Sequence, residues 1–148
     1  MYQNLRKKTN REQGFTIIEV LIVLAIAGLI MLIVFLAVPA LQRNSRNNAR
    51  NSEAARISAA VTECLANRNG QQDSCNSVAE LGLNIGTDFQ QFTSIVFAGV
   101  GSEVEAAVRF TQRCLPDGSN IGGANPTARD FAVLYQREPA LTRCIGSQ

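Results

Sequence analysis

The chain has 148 residues, with 14 lysines and arginines against 12 aspartates and glutamates, a net charge of +2 and no histidine. Without histidine there is no Ser-His or Cys-His dyad and no imidazole metal ligand. Lysine occurs only at Lys7 and Lys8, so a Walker-type phosphate loop and a Ser-Lys arrangement are also missing, and neither an enzyme activity nor a cofactor or metal is expected.

The positive charge is local. Arg6, Lys7, Lys8 and Arg11, with Glu12, give residues 1–14 a net +3, so residues 15–148 carry −1. This basic leader ends at Gly14. Phe15-Thr16-Ile17-Ile18-Glu19 follows, and Val20 to Gln42 is then a run of 23 residues without a charge. As a helix, that run would span ~35 Å at ~1.5 Å per residue, enough to cross a hydrocarbon core of ~30 Å. Glu19 sits at its edge. Burying an ionised carboxylate in a bilayer costs a few kcal/mol, so such a residue is functional by default and needs a partner. The most economical partner is an amine. Cutting the chain after Gly14 would give Phe15 a free ammonium, four residues from Glu19 and one turn away on the same helix face.

Two ordinary readings fit less well. A secretory signal cut at Val38-Pro39-Ala40 requires an apolar region of ~7–15 residues, and this run is longer and opens on a glutamate. A single-pass anchor with Glu19 at the interface leaves the glycine, the aromatic and the glutamate unexplained together.

From Gly14 to about Pro39 the chain resembles the N-terminus of a type IV prepilin: a basic leader, Gly14, Phe15, Glu19 at the fifth place after the glycine, then an apolar run. The resemblance implies cleavage after Gly14 by a prepilin peptidase and methylation of the Phe15 amine. It also implies assembly into a helical filament by coiled packing of the N-terminal helices, with Glu19 meeting a Phe15 amine. The partners it implies are identical or related pilin subunits and the inner-membrane pilus assembly machinery. The chain would cross the cytoplasmic membrane once before assembly and then reside in an extracellular filament. A pseudopilin of a type II secretion or DNA-uptake apparatus shares this N-terminal segment. A membrane anchor carrying a small extracytoplasmic binding module is the plainer alternative.

Within the span, Gly28 weakens the helix or lets a neighbour approach, and Pro39 is expected to kink or break it. The resemblance also implies that the stretch between such a glycine and proline melts during assembly. This chain departs from the family there, with Leu36 in the place where the proline is most often found. Just outside the span, Arg43, Arg46 and Arg50 form a stripe on one helix face. It reads either as a binding strip for nucleic acid or acidic partners, or as headgroup anchoring and solvated charge. A near-neutral chain without histidine or tryptophan favours the second and makes nucleic acid an unlikely partner.

Beyond a polar stretch at 42–53, Ala54, Ile57, Val61, Cys64 and Leu65 recur at three- and four-residue spacing, one helical face suited to packing on a sheet. Asn67 to Gly70 should end the helix, glycine being the usual stop. Phe92 to Ala98 and Val104 to Phe110 are β-rich and joined by Gly99-Val100-Gly101-Ser102, which reads as a hairpin connection. Glu103 and Glu105 would share one solvated strand face. Pro116 to Thr127 is rich in turn formers, Phe131 to Tyr135 is a third strand and Leu141 to Ile145 a fourth. The expected architecture is α+β, a long N-terminal helix packed on a small antiparallel sheet. It divides into a leader at 1–14, a helix at 15–68 whose span covers about 15–41, and a head at 69–148.

Cys64, Cys75, Cys114 and Cys144 all lie beyond the span and contain no Cys-x-x-Cys, which argues against zinc. In an oxidising exterior they would form two disulfides. Three pairings are possible; Cys64–Cys75 with Cys114–Cys144 is favoured because each then closes a local unit.

Overall fold

A computed structural model of the chain describes residues 14–122 and 125–147. The charged leader residues Arg6, Lys7, Lys8, Arg11 and Glu12 lie outside the described residues. The chain divides into two compact units, Met1–Ala40 and Leu41–Gln148. Helix α1 (Ile17–Asn67, 51 residues) begins in the first and ends in the second.

In the first unit Thr16 starts α1. The Glu19 N–H donates to the Thr16 Oγ1 at 3.4 Å, with the Thr16 carbonyl accepting from the same N–H at 3.1 Å. Thr16-x-x-Glu19 is the spacing of a capping box, and a carboxylate in the first turn is favoured by the positive end of the helix dipole. Pro39 lies inside α1, which continues through it, so of the kink or break expected from the sequence the break does not occur. Proline deletes one donor, toward the Phe35 carbonyl, and the loss of one bond does not end a helix with this many others.

In the second unit the apolar stripe is buried as its spacing requires. Ala54, Ile57 and Val61 are fully buried, and Cys64 and Leu65 nearly so. They pack on a four-stranded sheet of order β1-β2-β3-β4: β1 (Ser94–Val96), β2 (Glu105–Phe110), β3 (Phe131–Arg137) and β4 (Leu141–Gly146). Ile95, Ala106, Val108, Phe131, Val133 and Tyr135 face the helix, with the Phe92 and Tyr135 rings edge to face at 6.1 Å. The architecture is α+β and pilin-like.

The sheet is mixed, which corrects the antiparallel expectation. β2–β3 and β3–β4 are antiparallel, but β1 runs parallel to β2, Ile95 beside Ala106. The connection at 97–104 is therefore not a hairpin. Gly101 explains its path: a Cβ there would clash with the Leu134 and Glu105 carbonyl oxygens, so only glycine lets the loop lie against β3. Ser102 then accepts from the Gln136 N–H at 3.2 Å before the chain enters β2. Glu103 falls outside the strand. Glu105 lies within it, accepting from Ser94 Oγ at 3.0 Å and Ser102 Oγ at 3.4 Å, so the two glutamates share no face.

The sheet buries its second face too. Ala107, Ala132, Leu134, Cys114 and Cys144 form a separate cluster with Val96 and Ile121 against it. This is why Phe131 to Tyr135 reads as an unbroken apolar run rather than an alternating one. The covering segment folds back on itself through a Cys114–Ile121 bridge and hydrogen-bonds the β4 edge, the Cys144 N–H donating to the Gly118 carbonyl at 2.9 Å. An edge strand that would otherwise offer free backbone groups is thereby closed.

The end of α1 shows which residue stops it. The Gly70 N–H donates to the Leu65 carbonyl at 2.7 Å, and Asn69 takes the left-handed conformation at φ 53°. That is a Schellman arrangement with asparagine in the position glycine usually fills.

Candidate functional site

The functional features of the sequence fall into two groups, one in each unit. In the first unit, no residue of the apolar window is buried. Phe15, Leu21, Leu24, Leu29, Phe35 and Leu36 are all exposed. A contiguous apolar surface on this scale marks a membrane or protein contact. Glu19 lies within it, lining with Phe15, Val20, Val23 and Leu24 a shallow apolar cleft of about 180 Å³. The cleft brings Phe15 and Glu19 to one place on the first turn. Gly28 adds no neighbour of its own, since a Cβ there would meet nothing within 4 Å. A Cβ at Gly14 likewise would meet nothing within 4 Å among the described residues.

Residues 9–35 match the family described as the prokaryotic N-terminal methylation motif. The chain carries a type IV prepilin-like leader. The matched segment runs from Thr9 through Arg11, Gly14, Phe15 and Glu19 to Phe35, so it covers the leader junction and most of the apolar run. No curated protein and no solved structure matches the chain. The motif supports a type IV pilin- or pseudopilin-type protein. The prepilin-like leader and the apolar helix together support a membrane-anchored chain.

In the second unit two members of the arginine stripe are occupied from within, which corrects both readings for Arg46 and Arg50. Arg46 makes a bidentate pair with Glu138, Nε to Oε1 and Nη2 to Oε2 both at 2.8 Å. Arg50 is buried, with its Nη2 at 3.3 Å from the same carboxylate and 3.8 Å from Glu103. The Asn47 amide closes the cluster, accepting from the Glu138 N–H at 2.8 Å and donating to its carbonyl at 3.0 Å. These contacts fasten α1 to the turn between β3 and β4. Arg43 alone of the three stays exposed without such a partner among the described residues.

The Arg46 hydrogen bonds hold the Glu138 carboxyl down from 4.5 to about 2, and the Arg50 charge adds to the effect. Asp130 is likewise lowered from 3.8 to about 2, chiefly by the Thr127 N–H, with the Thr127 hydroxyl and Arg113 contributing. Both groups bind protons less readily when folded than when unfolded. They therefore stabilise the head above their unfolded values, and that contribution disappears as the pH falls. Thermal stability should be level from neutrality down to about pH 5 and fall steadily between about pH 4.5 and pH 2. Melting curves of Glu138→Gln across that range should show a shallower acid limb than wild type. An identical limb would mean that Glu138 is not one of the groups responsible.

The structure joins Cys64 to Cys75 and Cys114 to Cys144, with Cα separations of 6.0 and 5.6 Å. The first holds the end of α1 to the loop after it. The second staples the segment covering the far sheet face onto β4. Each should stabilise the fold by ~3–4 kcal/mol by restricting the denatured chain.

Sequence reasoning missed Glu53. It is buried on α1 and accepts the N–H groups of Gln90, Gln91 and Phe92 at 2.8 to 3.1 Å. A single glutamate in a helical run looks like solvated charge. The signal available was its position three residues from Arg50 and one before Ala54, on the edge of the apolar stripe.

Proposed function

We propose that the chain is the structural subunit of a type IV pilus-type filament, cut after Gly14 and polymerised through its N-terminal helix. One observation carries this reading. The methylation motif at 9–35 leads directly into an apolar helix segment with no buried residue. A lone anchor needs only the lipid contact, whereas Glu19 inside that surface needs an amine as well. The prepilin-type leader supports a prepilin peptidase and further pilin subunits as partners. A pseudopilin of a secretion or DNA-uptake apparatus shares the segment and differs in the length and abundance of its polymer.

The processing step is testable directly. Intact-mass analysis of the membrane-extracted chain should show a protein beginning at Phe15 and carrying one added methyl. Gly14→Val should leave the full-length precursor, because a branched side chain crowds a scissile bond that already abuts phenylalanine. A mature chain beginning at Leu41 would instead establish a secretory signal. Antibody to residues 69–148 should then decorate sheared surface filaments in electron micrographs; a short, scarce periplasmic polymer would favour the pseudopilin.

A further inference from the structure

Two cavities flank the outer half of α1, and their exposed charges are opposite. The first, of about 660 Å³, lies between Ser58, Thr62 and Ala66 on the helix and Arg129, Gly146 and Ser147. The second, of about 340 Å³, lies between Ala60, Glu63 and Asn67 on the helix and Glu80, Leu81 and Gly82. At 3.6 residues per turn, the two sets of helix positions stand roughly 130° apart. Buried Ile57 and Val61 lie between them on the core side. The cavities therefore occupy opposite flanks of the head.

Arg129, Glu63 and Glu80 are all exposed, and none of them forms an ion pair among the described residues. The other arginines near the helix base behave differently: Arg46 and Arg50 are consumed by Glu138. Arg129 instead lies across Gly70, so close that a Cβ at that position would meet its Cγ at 3.0 Å. On the acidic flank Ala79, Glu80 and Gly82 are exposed around the buried Leu81.

We infer that the Arg129 groove receives the Glu63–Glu80 edge of a second copy of this chain. The inference rests on the assembly reading above and names the head contact within it. One chain cannot bring its own two flanks together. Two copies can, and each then keeps one unmatched flank. A contact of this heterologous kind repeats without closing unless its rotation happens to complete a ring, which suits a helical polymer. Opposite charges on the two surfaces fix the orientation of approach and disfavour the reversed one.

The amino-acid composition supplies a clean test. Lys7 and Lys8 are the only lysines, both in the leader, so Arg129→Lys keeps the charge and puts a single side-chain amine on the mature chain. A carbodiimide joins that amine to a carboxylate with no spacer. Full-length chain from ordinary and heavy-isotope cultures is processed, mixed, reconstituted in vesicles and cross-linked. Mass spectrometry should find mixed-isotope peptide pairs linking residue 129 to Glu63 or Glu80, and these should vanish when Glu63→Gln and Glu80→Gln are added. Links from residue 129 only to other carboxylates such as Glu103 or Asp117, only within one chain, or not at all would overturn the docking. An unlinked residue 129 is also the outcome if a free anion or a lipid headgroup fills the groove. Surface filaments from cells making the Arg129→Lys chain, without the link in them, defeat the docking alone; the link in vesicles with no filaments on those cells upholds the docking and defeats the polymer reading.

Discussion

Glu19→Ala should be cut after Gly14 and accumulate in the membrane at wild-type levels, yet be depleted at least about tenfold from sheared filaments. On the proposed assembly, the carboxylate faces a Phe15 ammonium of an adjacent subunit within apolar surroundings. Removing it strands a buried cation, which costs several kcal/mol when nothing replaces the partner. Each ~1.4 kcal/mol is a factor of ten in an association constant. Before assembly the same carboxylate can satisfy the amine of its own chain, one turn away, so insertion and processing are spared. The capping role of Thr16 offers a control. Glu19 also sits at the first turn of α1, where its charge interacts with the helix dipole, but that contribution is only ~0.3–1 kcal/mol. Thr16→Ala should therefore weaken the start of the helix while leaving filament yield close to normal. Glu19→Gln should behave like the alanine variant, since an amide cannot neutralise an ammonium. Wild-type filament yield from Glu19→Ala cells with no other copy of the chain would defeat the pairing.

What could be read from the sequence was local or periodic. The stripe Ala54, Ile57, Val61, Cys64 and Leu65 specified its own burial, because helical spacing leaves one face for the core. The four strands stood out by composition between turn formers. Their directions did not, because a strand's residues say which faces are buried and nothing about whether its neighbour runs with it or against it. The parallel start of the sheet follows instead from where residues 97–104 rest, and that depends on the fit of Gly101 against Leu134. Partners distant in sequence were equally hidden. Glu138 lies 92 residues from Arg46, so the arginine stripe looked like free charge when two of its three members were committed. Asn69 and Gly70 both had the chemistry to end α1, and the hydrogen bond to Leu65 decides which takes which place. At the N-terminus the opposite holds. The motif around Gly14, Phe15 and Glu19 is legible because it is contiguous in the chain and does not depend on how the head folds.

Glu53→Ala should destabilise the head by about 3–4 kcal/mol, the largest loss expected from any single charged residue in it. A hydrogen bond to an ionised acceptor contributes ~1.5–3 kcal/mol, and a buried donor left without one costs its full desolvation. Glu53 serves three backbone donors in succession, at Gln90, Gln91 and Phe92, and the last of these is buried. The three contributions will not simply add, since the loop can shift and admit water once the carboxylate is gone. At ~4–8 °C per kcal/mol for a domain of this size, the melting temperature should drop by more than about 10 °C. The chain reports the change itself. Trp is absent and the two tyrosines are Tyr2, in the leader, and Tyr135. After cleavage Tyr135 is the sole near-ultraviolet reporter besides phenylalanine, packed on the Phe92 ring whose N–H Glu53 holds. Full chain in detergent, followed by tyrosine fluorescence, should therefore lose its transition at lower temperature, and amides 90–92 should exchange faster than those of β3. Glu53→Gln retains one carbonyl acceptor but turns an amide N–H₂ toward backbone donors, so its loss should fall between wild type and alanine. A Glu53→Ala chain within about 0.5 kcal/mol of wild type, the usual effect of a surface substitution, would mean that water replaces the carboxylate at no cost and that the 89–92 loop is held by its apolar residues, Phe89 and Phe92, instead.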